Sequence, residues 1–204
     1  MQAVNRLTER FLEQPWVYRA WQSPFADQKF APVLAHNDFK AVKKVLDIGC
    51  GPGTNTKYFA NAEYLGVDIN KQYVQHARRR HSRAFIASDV RTYSPEDEAR
   101  FDFVLINSFL HHLNSGDVAG ILSHVPSLLD KGGHVHILEV VMPPEPSISR
   151  LLARWDRGKF VRPVEEWNAI FSKYFEPVLF ERYPLTGGGV TLWNMVYFKG
   201  RPRR

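Results

Sequence analysis

The feature that most constrains the fold is a regular alternation of short apolar runs and helix-like stretches between about residues 43 and 141. Five apolar runs rich in Val, Ile and Phe follow one another, at 44–49, 63–68, 84–89, 101–107 and 133–141. Apolar residues at helical spacing mark two of the stretches between them, 70–81 and 115–129. Strands that alternate with helices of these lengths form right-handed βαβ units. The sequence therefore predicts a parallel sheet that is covered by helices on both faces.

The C-terminal part predicts a different ending for this sheet. A helix is predicted over 165–174, and two further strands follow it at 177–185 and 190–200 with only a glycine-rich connection between them. Two consecutive strands that are joined so briefly must run antiparallel. We therefore expect seven strands, mostly parallel, with an antiparallel hairpin at the C-terminal end.

A glycine-rich loop after the first predicted strand is the sharpest functional motif. The segment VLDIGCGPG, residues 45–53, runs from an apolar strand directly into Gly49, Gly51 and Gly53. Glycines there allow tight backbone angles and let a ligand approach the main chain. In an open α/β sheet, ligands bind at this point, beyond the carboxyl end of the first strand.

Three carboxylates accompany the glycine loop at the ends of successive strands. Asp47 lies in the last turn of the first strand, Asp68 ends the second and Asp89 ends the third. An acid about 20 residues beyond the glycines, as Asp68 is, accepts both ribose hydroxyls of an adenosine. Asp89 can accept from an adenine amino group while the Val90 backbone addresses the ring. Three carboxylates repel a pyrophosphate, which argues against a nicotinamide dinucleotide, and they suit an adenosine that carries a cationic sulfonium.

In order and spacing, these segments resemble the motifs of class I S-adenosylmethionine-dependent methyltransferases of the small-molecule type. The resemblance rests on DIGCGPG, GVDIN, SDV, FDFVLINSFLHHL, LLDKGGHVHILEVV and the terminal hairpin, and it covers about residues 43–200. It implies a Rossmann-like α/β fold with S-adenosylmethionine as the cofactor. The glycine loop would support the methionine part, and the end of the fourth strand would line the floor near the methyl group. The cofactor-binding residues that the resemblance implies are Asp47, Gly49, Cys50, Gly51, Gly53, Asp68, Ile69, Asp89, Val90, Asn107 and Ser108.

Two histidines after the fourth strand, His111 and His112, are the candidate catalytic residues. Methyl transfer from a sulfonium needs a base only if the acceptor must lose a proton, and an imidazole can take that proton near neutral pH. In related small-molecule enzymes the position of His112 is often a histidine near the acceptor. His111 matches a position that is an acid in metal-dependent branches, so we expect no metal. The alternative is that one or both imidazoles only satisfy backbone groups at a helix start.

The insert at 142–162 carries the best sequence clue to the substrate. Its apolar residues fall on one helical face and its arginines on another. We predict that Arg154, Trp155 and Arg157 contact the acceptor and that the arginines bind a phosphate group on it. A basic amphipathic helix can instead lie on an anionic membrane. An ordinary lid helix with a solvated polar face is the remaining alternative.

Length and composition fit a single domain over residues 1–204. Its expected parts are a cap segment (1–42), a cofactor-binding half (43–141), the insert (142–162) and a C-terminal helix and hairpin (163–204). The chain is 44% apolar and has a net charge of +6, which excludes a disordered chain and favours an anionic partner. No apolar run approaches the ~18–20 residues of a membrane span. The N-terminus does not resemble a secretory signal, and one cysteine suits a reducing compartment, so we expect a cytoplasmic protein.

The function predicted from the sequence is methyl transfer to oxygen on a small or lipid-linked acceptor. Two alternatives stay open, an RNA methyltransferase and a non-catalytic cofactor-binding partner of another protein. Basic clusters at 78–80 and 199–204 suggest nucleic acid, but no RNA-binding module accompanies them. The sequence makes no prediction about the oligomeric state.

Overall fold

The structure is a computed structural model that describes residues 25–95, 100–155 and 159–203. Seven strands, five α-helices and two short 3₁₀ turns follow one another along these residues. The helices are α1 (Ala26–Ala35), α2 (Lys71–Arg80), α3 (Ser115–Leu128), α4 (Ile148–Trp155) and α5 (Val164–Tyr174). The strands are β1 (Lys44–Ile48), β2 (Glu63–Asp68), β3 (Ala84–Ala87), β4 (Phe101–Asn107), β5 (Leu129–Val141), β6 (Phe175–Gly187) and β7 (Val190–Pro202). The 3₁₀ turns are Thr54–Tyr58 and Leu110–His112.

The seven strands form one sheet in the order β3-β2-β1-β4-β5-β7-β6. Every pair from β3 to β5 is parallel, whereas β7 is antiparallel to both β5 and β6. This arrangement confirms the predicted α/β fold with its C-terminal antiparallel hairpin. The strand order reverses between β1 and β4, which is the place where open α/β sheets bind ligands at the carboxyl edge.

Alternating side chains of the central strands build two hydrophobic cores, one on each face of the sheet. In β1, Leu46 belongs to the core beneath α3 and α5, whereas Val45 belongs to the core beneath α1 and α2. In β4, Val104 and Leu105 divide in the same way. Because successive residues of a strand point to opposite faces, these near-continuous apolar runs require helices on both faces.

Several elements differ from the sequence prediction in their bounds. The segment after the glycine loop forms only the 3₁₀ turn Thr54–Tyr58, with Phe59 as its C-cap, and β2 begins at Glu63. The fifth strand begins at Leu129 and the sixth at Phe175, so each joins its preceding helix with no intervening loop. The first 24 residues of the expected cap segment lie outside the described residues. No helix of the described part of the chain is long and apolar enough to cross a membrane.

The insert after β5 leaves and re-enters the sheet at one point. Val141 forms a parallel bridge with Arg162, and the Met142 N–H donates to the Arg162 carbonyl at 2.9 Å. Within the insert, α4 packs on β7, and Asn194 Nδ2 donates to Ser149 Oγ at 2.9 Å. The insert is therefore fixed to the carboxyl end of β5, beside the edge where ligands bind.

Candidate active site

The glycine loop is tightly packed on one side and open on the other. Gly49, Gly51 and Gly53 all have positive φ, at 69°, 53° and 80°. A Cβ atom on Gly49 would lie 2.6 Å from Cγ of Phe109, so a side chain there is excluded by packing as well as by backbone angle. Among the described residues, a Cβ on Gly51 would meet no atom within 4 Å. A ligand beside this glycine would therefore meet main chain rather than a described side chain.

Asp68 joins the end of β2 to this loop. Its Oδ2 accepts from the Gly51 N–H at 2.9 Å and its Oδ1 accepts from the Asn70 N–H at 2.7 Å. Burial raises the pKa of Asp68 above its ordinary value, and the two backbone donors oppose that rise. The predicted neighbour Ile69 is 69% exposed. Asp68 thus fixes the shape of the glycine loop while it lines the adjacent hollow.

Asp47 is a fully buried carboxyl group with one satisfied and one unsatisfied oxygen. Its Oδ2 accepts from the Tyr64 hydroxyl at 2.5 Å and from Asn55 Nδ2 at 3.0 Å. Within the part of the chain that the structure describes, its Oδ1 has no hydrogen-bond partner. Burial raises the pKa of Asp47 to about 7, and the two hydrogen bonds only partly oppose this. A buried oxygen without a donor is costly, so this group needs a reason to be present.

The end of β4 continues the polar network from Asp47. Asn107 Nδ2 donates to Asn55 Oδ1 at 3.0 Å, and the Ser108 hydroxyl donates to Asn107 Oδ1 at 3.3 Å. Ser108 has a φ of 53°, the one positive φ of a non-glycine residue in the described ranges. The structure therefore brings Asp47, Asn107 and Ser108 together. Asn55 joins them, although the sequence analysis did not identify it; a polar residue two positions after the last glycine was the available clue.

Asp89, the third predicted acid, is engaged by a neighbouring arginine. Arg91 Nε donates to both carboxylate oxygens of Asp89 at 3.0 Å, and a terminal nitrogen of Arg91 donates to Oδ2 at 2.6 Å. These bonds hold the pKa of Asp89 below its ordinary value. Arg91 also pairs with Asp117 at 2.6 Å. Arg91 was not predicted as a site residue, and it limits what the Asp89 carboxylate can accept from a ligand.

Two hollows of unequal size flank the glycine loop. The smaller one, here called the acidic hollow, has a volume of about 140 Å³ and lies at the ends of β1, β2 and β3. Its lining includes Asp68, Asp89, Val90 and Asp117. The larger one, here called the basic cavity, has a volume of about 710 Å³ and lies between α1, the first 3₁₀ turn and α2. Gly49 lines both, so the two hollows meet at the glycine loop.

The two predicted catalytic histidines occupy different environments. His111 is 2% exposed, and its Nδ1 lies 2.6 Å from Oε2 of Glu139, which is fully buried. The other oxygen of Glu139 accepts from the N–H groups of Phe109 and Leu110 at 2.9 and 2.6 Å. His112 is exposed, and its ring centroid lies 4.2 Å from that of His111. Glu139 therefore holds the turn after β4, and His112 is the imidazole that a soluble acceptor can reach.

Of the three residues of the insert that were predicted to contact the acceptor, the structure describes two. Arg154 and Trp155 are exposed on α4, Trp155 by 75%, whereas Arg157 lies outside the described residues. The Phe160 N–H donates to the His111 carbonyl at 3.0 Å, so the end of the insert touches the histidine turn. Arg162, which the sequence analysis placed on the basic insert, is only 4% exposed.

Arg162 is a structural anchor rather than a free surface charge. Its guanidinium donates to the carbonyls of Phe160 and Leu113 at 2.9 and 3.1 Å, and it pairs with Glu166 at 3.1 Å. It also lies over the Trp167 ring, 4.8 Å from the centroid. One side chain thus joins the insert, the start of α3 and α5.

Comparison with known sequences finds proteins named as methyltransferases. Residues 45–133 match the family described as "Methyltransferase domain". A protein named trans-aconitate 2-methyltransferase from Methylobacterium radiotolerans is 34% identical over 127 residues, which are 58% of this chain and 46% of that protein. The chain spans about half the length of the first curated relatives that it matches.

Solved structures agree with the fold. The PH0226 protein from Pyrococcus horikoshii OT3 has a TM-score of 0.68 at 20% identity, and the alignment covers 94% of this chain and 93% of that one. The N-methyltransferase NodS from Bradyrhizobium japonicum WM9, solved with S-adenosyl-L-homocysteine, has a TM-score of 0.63 at 16% identity, with coverage of 94% and 89%. The chain is thus similar in sequence to proteins named as methyltransferases, and it shares the fold of these solved structures.

Proposed function

We propose that this chain is a class I methyltransferase, which transfers a methyl group from S-adenosylmethionine to an oxygen atom of a small organic acid. The observation that carries the proposal is the unpartnered Oδ1 of the buried Asp47, beside a glycine loop that is open at Gly51. A cation with N–H donors is the ligand that such an oxygen needs. The curated relatives named trans-aconitate 2-methyltransferase support a small carboxylic acid as the acceptor.

The residues of the acidic hollow and the glycine loop fit the cofactor. When bound, S-adenosylmethionine supplies a methyl group activated on a sulfonium, and its amino acid end adds an ammonium group. Asp47 Oδ1 would accept from that ammonium, and the Asp68 carboxylate would accept from the ribose hydroxyls. The Val90 backbone would address the adenine, since Asp89 is engaged by Arg91. Asn107 and Ser108 would line the floor beside the reacting carbon.

The acceptor chemistry decides what the histidines do. An ionised carboxylate is already a nucleophile, so it needs orientation rather than a base. A hydroxyl acceptor must lose a proton, which the exposed His112 can take. His111 is a positioning residue, because it acts through Glu139 on the turn that presents His112. A substitution of His112 should therefore lower methyl transfer to a hydroxyl acceptor and have little effect on transfer to a carboxylate.

A lipid-linked acceptor is the second candidate, and one surface favours it. Ile148, Leu151 and Trp155 are 55%, 47% and 75% exposed on one side of α4, and Arg154 lies next to them. An exposed apolar face beside a cation can contact a lipid and its phosphate. A Trp155→Ala variant that methylates a soluble acid normally, but no longer a vesicle-bound acceptor, would support this second reading.

The cofactor assignment is tested by calorimetry with S-adenosylhomocysteine. We expect the wild-type protein to bind it and Asp68→Asn to bind it at least tenfold more weakly, about 1.4 kcal/mol. Asp130→Asn is the matched control, since Asp130 is an exposed acid at the start of β5. Because Asp68 also holds the glycine loop, the melting temperature of each variant is measured alongside. Equal affinity in folded wild type and Asp68→Asn would contradict the ribose role.

The acceptor is tested with labelled S-adenosylmethionine and a panel of small carboxylic acids, phospholipid vesicles and RNA. We expect label in the acids, and little effect of His112→Ala if the acceptor is a carboxylate. A large loss of kcat in His112→Ala would identify a hydroxyl acceptor instead. Label that enters only RNA, or no labelled product despite cofactor binding, would refute the small-acid proposal.

A further inference from the structure

The basic cavity carries the opposite charge to the acidic hollow across the glycine loop. It is lined by residues of α1, the glycine loop, the first 3₁₀ turn, the end of α2 and Asn107 at the end of β4. Its basic lining residues are Lys29, Lys57, Arg80 and Arg83, and His76 and His81 accompany them. Within the described ranges, no Asp or Glu lines it. A small anion is therefore attracted here and a cation repelled.

The charges of this cavity are held in place by the fold. Arg83 donates to the carbonyls of Ala62, Phe59 and Ala60 at 2.9, 3.0 and 2.6 Å, which fixes the guanidinium without cancelling its charge. Lys29 is only 8% exposed although it lines the cavity. Lys57 is paired with Asp27 at 2.6 Å, which offsets part of its charge.

Arg80 stands at the end of α2, where the electrostatics favour a cation. It follows Arg78 and Arg79 in the last turn of the helix, next to the partial negative charge of the helix end. Arg78 is turned away to the Phe85 carbonyl, to which it donates at 2.6 and 3.0 Å, whereas Arg80 lines the cavity. Adjacent arginines of this helix end therefore have different roles, and Arg80 is the one that lines the cavity beside the glycine loop.

We infer that the basic cavity binds the methyl acceptor as a small polycarboxylate. The inference rests on the proposed function, and it adds the acceptor's charge and the residues that select it. A volume of about 710 Å³ suits a small molecule, since ligand pockets measure ~300–1,000 Å³. The acceptor meets the cofactor at Gly49, which lines both hollows, and at Asn107.

The geometry separates the two substrates by charge. The adenosine part of the cofactor is held on the acidic side, its methionine part reaches the glycine loop and Asn107, and an acceptor with two or more carboxylates is held on the basic side. One carboxylate remains at the glycine loop, where its oxygen forms the bond to the methyl carbon. The carbon–sulfur bond breaks with its electron pair left on sulfur, and no proton is transferred. The other carboxylates stay with the cations of the cavity and set the specificity.

The test uses the full chain saturated with S-adenosylhomocysteine, titrated with trans-aconitate in a calorimeter at constant ionic strength. Arg80→Gln should raise the dissociation constant about threefold, as expected for one partly exposed charge contact. A double variant, Lys29→Met with Arg80→Gln, should raise it about tenfold or more. Arg79→Gln is the matched control, because it removes the same charge from the same helix and does not line the cavity. Acetate, which has one carboxylate, should bind the wild type far more weakly than trans-aconitate, which has three.

Methyl transfer supplies the second readout. With labelled S-adenosylmethionine, the cavity variants should raise the KM for trans-aconitate and change kcat little, whereas Arg79→Gln should change neither. Equal tricarboxylate affinity in wild type and both cavity variants would overturn the inference while leaving cofactor binding intact. So would variants that weaken S-adenosylhomocysteine instead of the tricarboxylate, or tricarboxylate binding without methyl transfer. Failure of the wild type to bind S-adenosylhomocysteine would refute the proposed function itself.

Discussion

Replacing Asp47 with Asn should stabilise the protein in neutral solution. Asn has nearly the same shape, and its Oδ1 can accept the hydrogen bonds that Tyr64 and Asn55 now donate to Asp47 Oδ2. It removes a carboxyl group whose pKa is raised from 3.8 to about 7 by burial. At about 1.4 kcal/mol per pKa unit, this rise amounts to a penalty of roughly 4 kcal/mol on the ionised form, which is an upper limit for the gain.

The sign of the pH dependence follows from the raised pKa. Because folding favours the protonated Asp47, its contribution to stability is fully present below pH 4 and is lost as the pH rises towards 7. The wild type and Asp47→Asn should therefore be about equally stable at pH 4, and the variant should be more stable at pH 8. The difference between the two proteins isolates Asp47 from the other carboxylates, which titrate in both.

The assay is urea unfolding at several pH values between 4 and 8, with the free energy of unfolding compared at each. Calorimetry with S-adenosylhomocysteine then tests whether the Asp47 carboxylate binds the ammonium group of the ligand. At pH 6 the wild type should release a proton when it binds the ligand's ammonium, and Asp47→Asn should bind more weakly without releasing one. Stability curves that run parallel from pH 4 to 8 would refute the reasoning about Asp47.

Three further predictions concern backbone strain, a buried charge and the glycine loop. Ser108→Gly should raise the free energy of unfolding by about 1 kcal/mol and Ser108→Val should lower it, because φ at this position is 53°. Urea unfolding of the two variants measures the difference. A Val variant more stable than the Gly variant would contradict backbone strain at Ser108. Arg162→Met should lower the free energy of unfolding by about 2–4 kcal/mol, because the Phe160 and Leu113 carbonyls and the Glu166 carboxylate lose their donor. An unchanged melting temperature would contradict a structural role for Arg162. Gly49→Ala should abolish S-adenosylhomocysteine binding, since the new Cβ would clash with Phe109, whereas Gly132→Ala, which meets nothing within 4 Å, should bind normally.

The sequence predicted the fold well because the fold depends on periodicity. The central strands alternate between two cores, and runs such as 101–107 must be covered on both faces wherever they occur in the chain. The glycine loop and the end of β2 were predictable for a related reason. Their positions follow from the order of strands and from the backbone angles that Gly49 and Gly51 adopt.

The side-chain partners in the site were less predictable, because they depend on contacts between distant segments. Glu139 accepts from the N–H groups of the turn after β4, about 30 residues earlier in the chain, and no local sequence pattern indicates that contact. Arg91 was not expected to engage Asp89, since two residues of one loop pair only if the loop turns back. The charge of the basic cavity was also missed, because Lys29 and Arg83 are far apart in the sequence and line one cavity only in the folded chain.

The bridge that joins the two ends of the insert bears on how freely the length and sequence of the insert can change. The bridge between Val141 and Arg162 holds the two ends of the insert together irrespective of what lies between them. Changing the length of a loop whose ends are already joined costs only about 0.6 kcal/mol per doubling. Residues 143–161 can therefore vary in length and charge at little cost in loop closure, as long as the face of α4 that packs on β7 is kept.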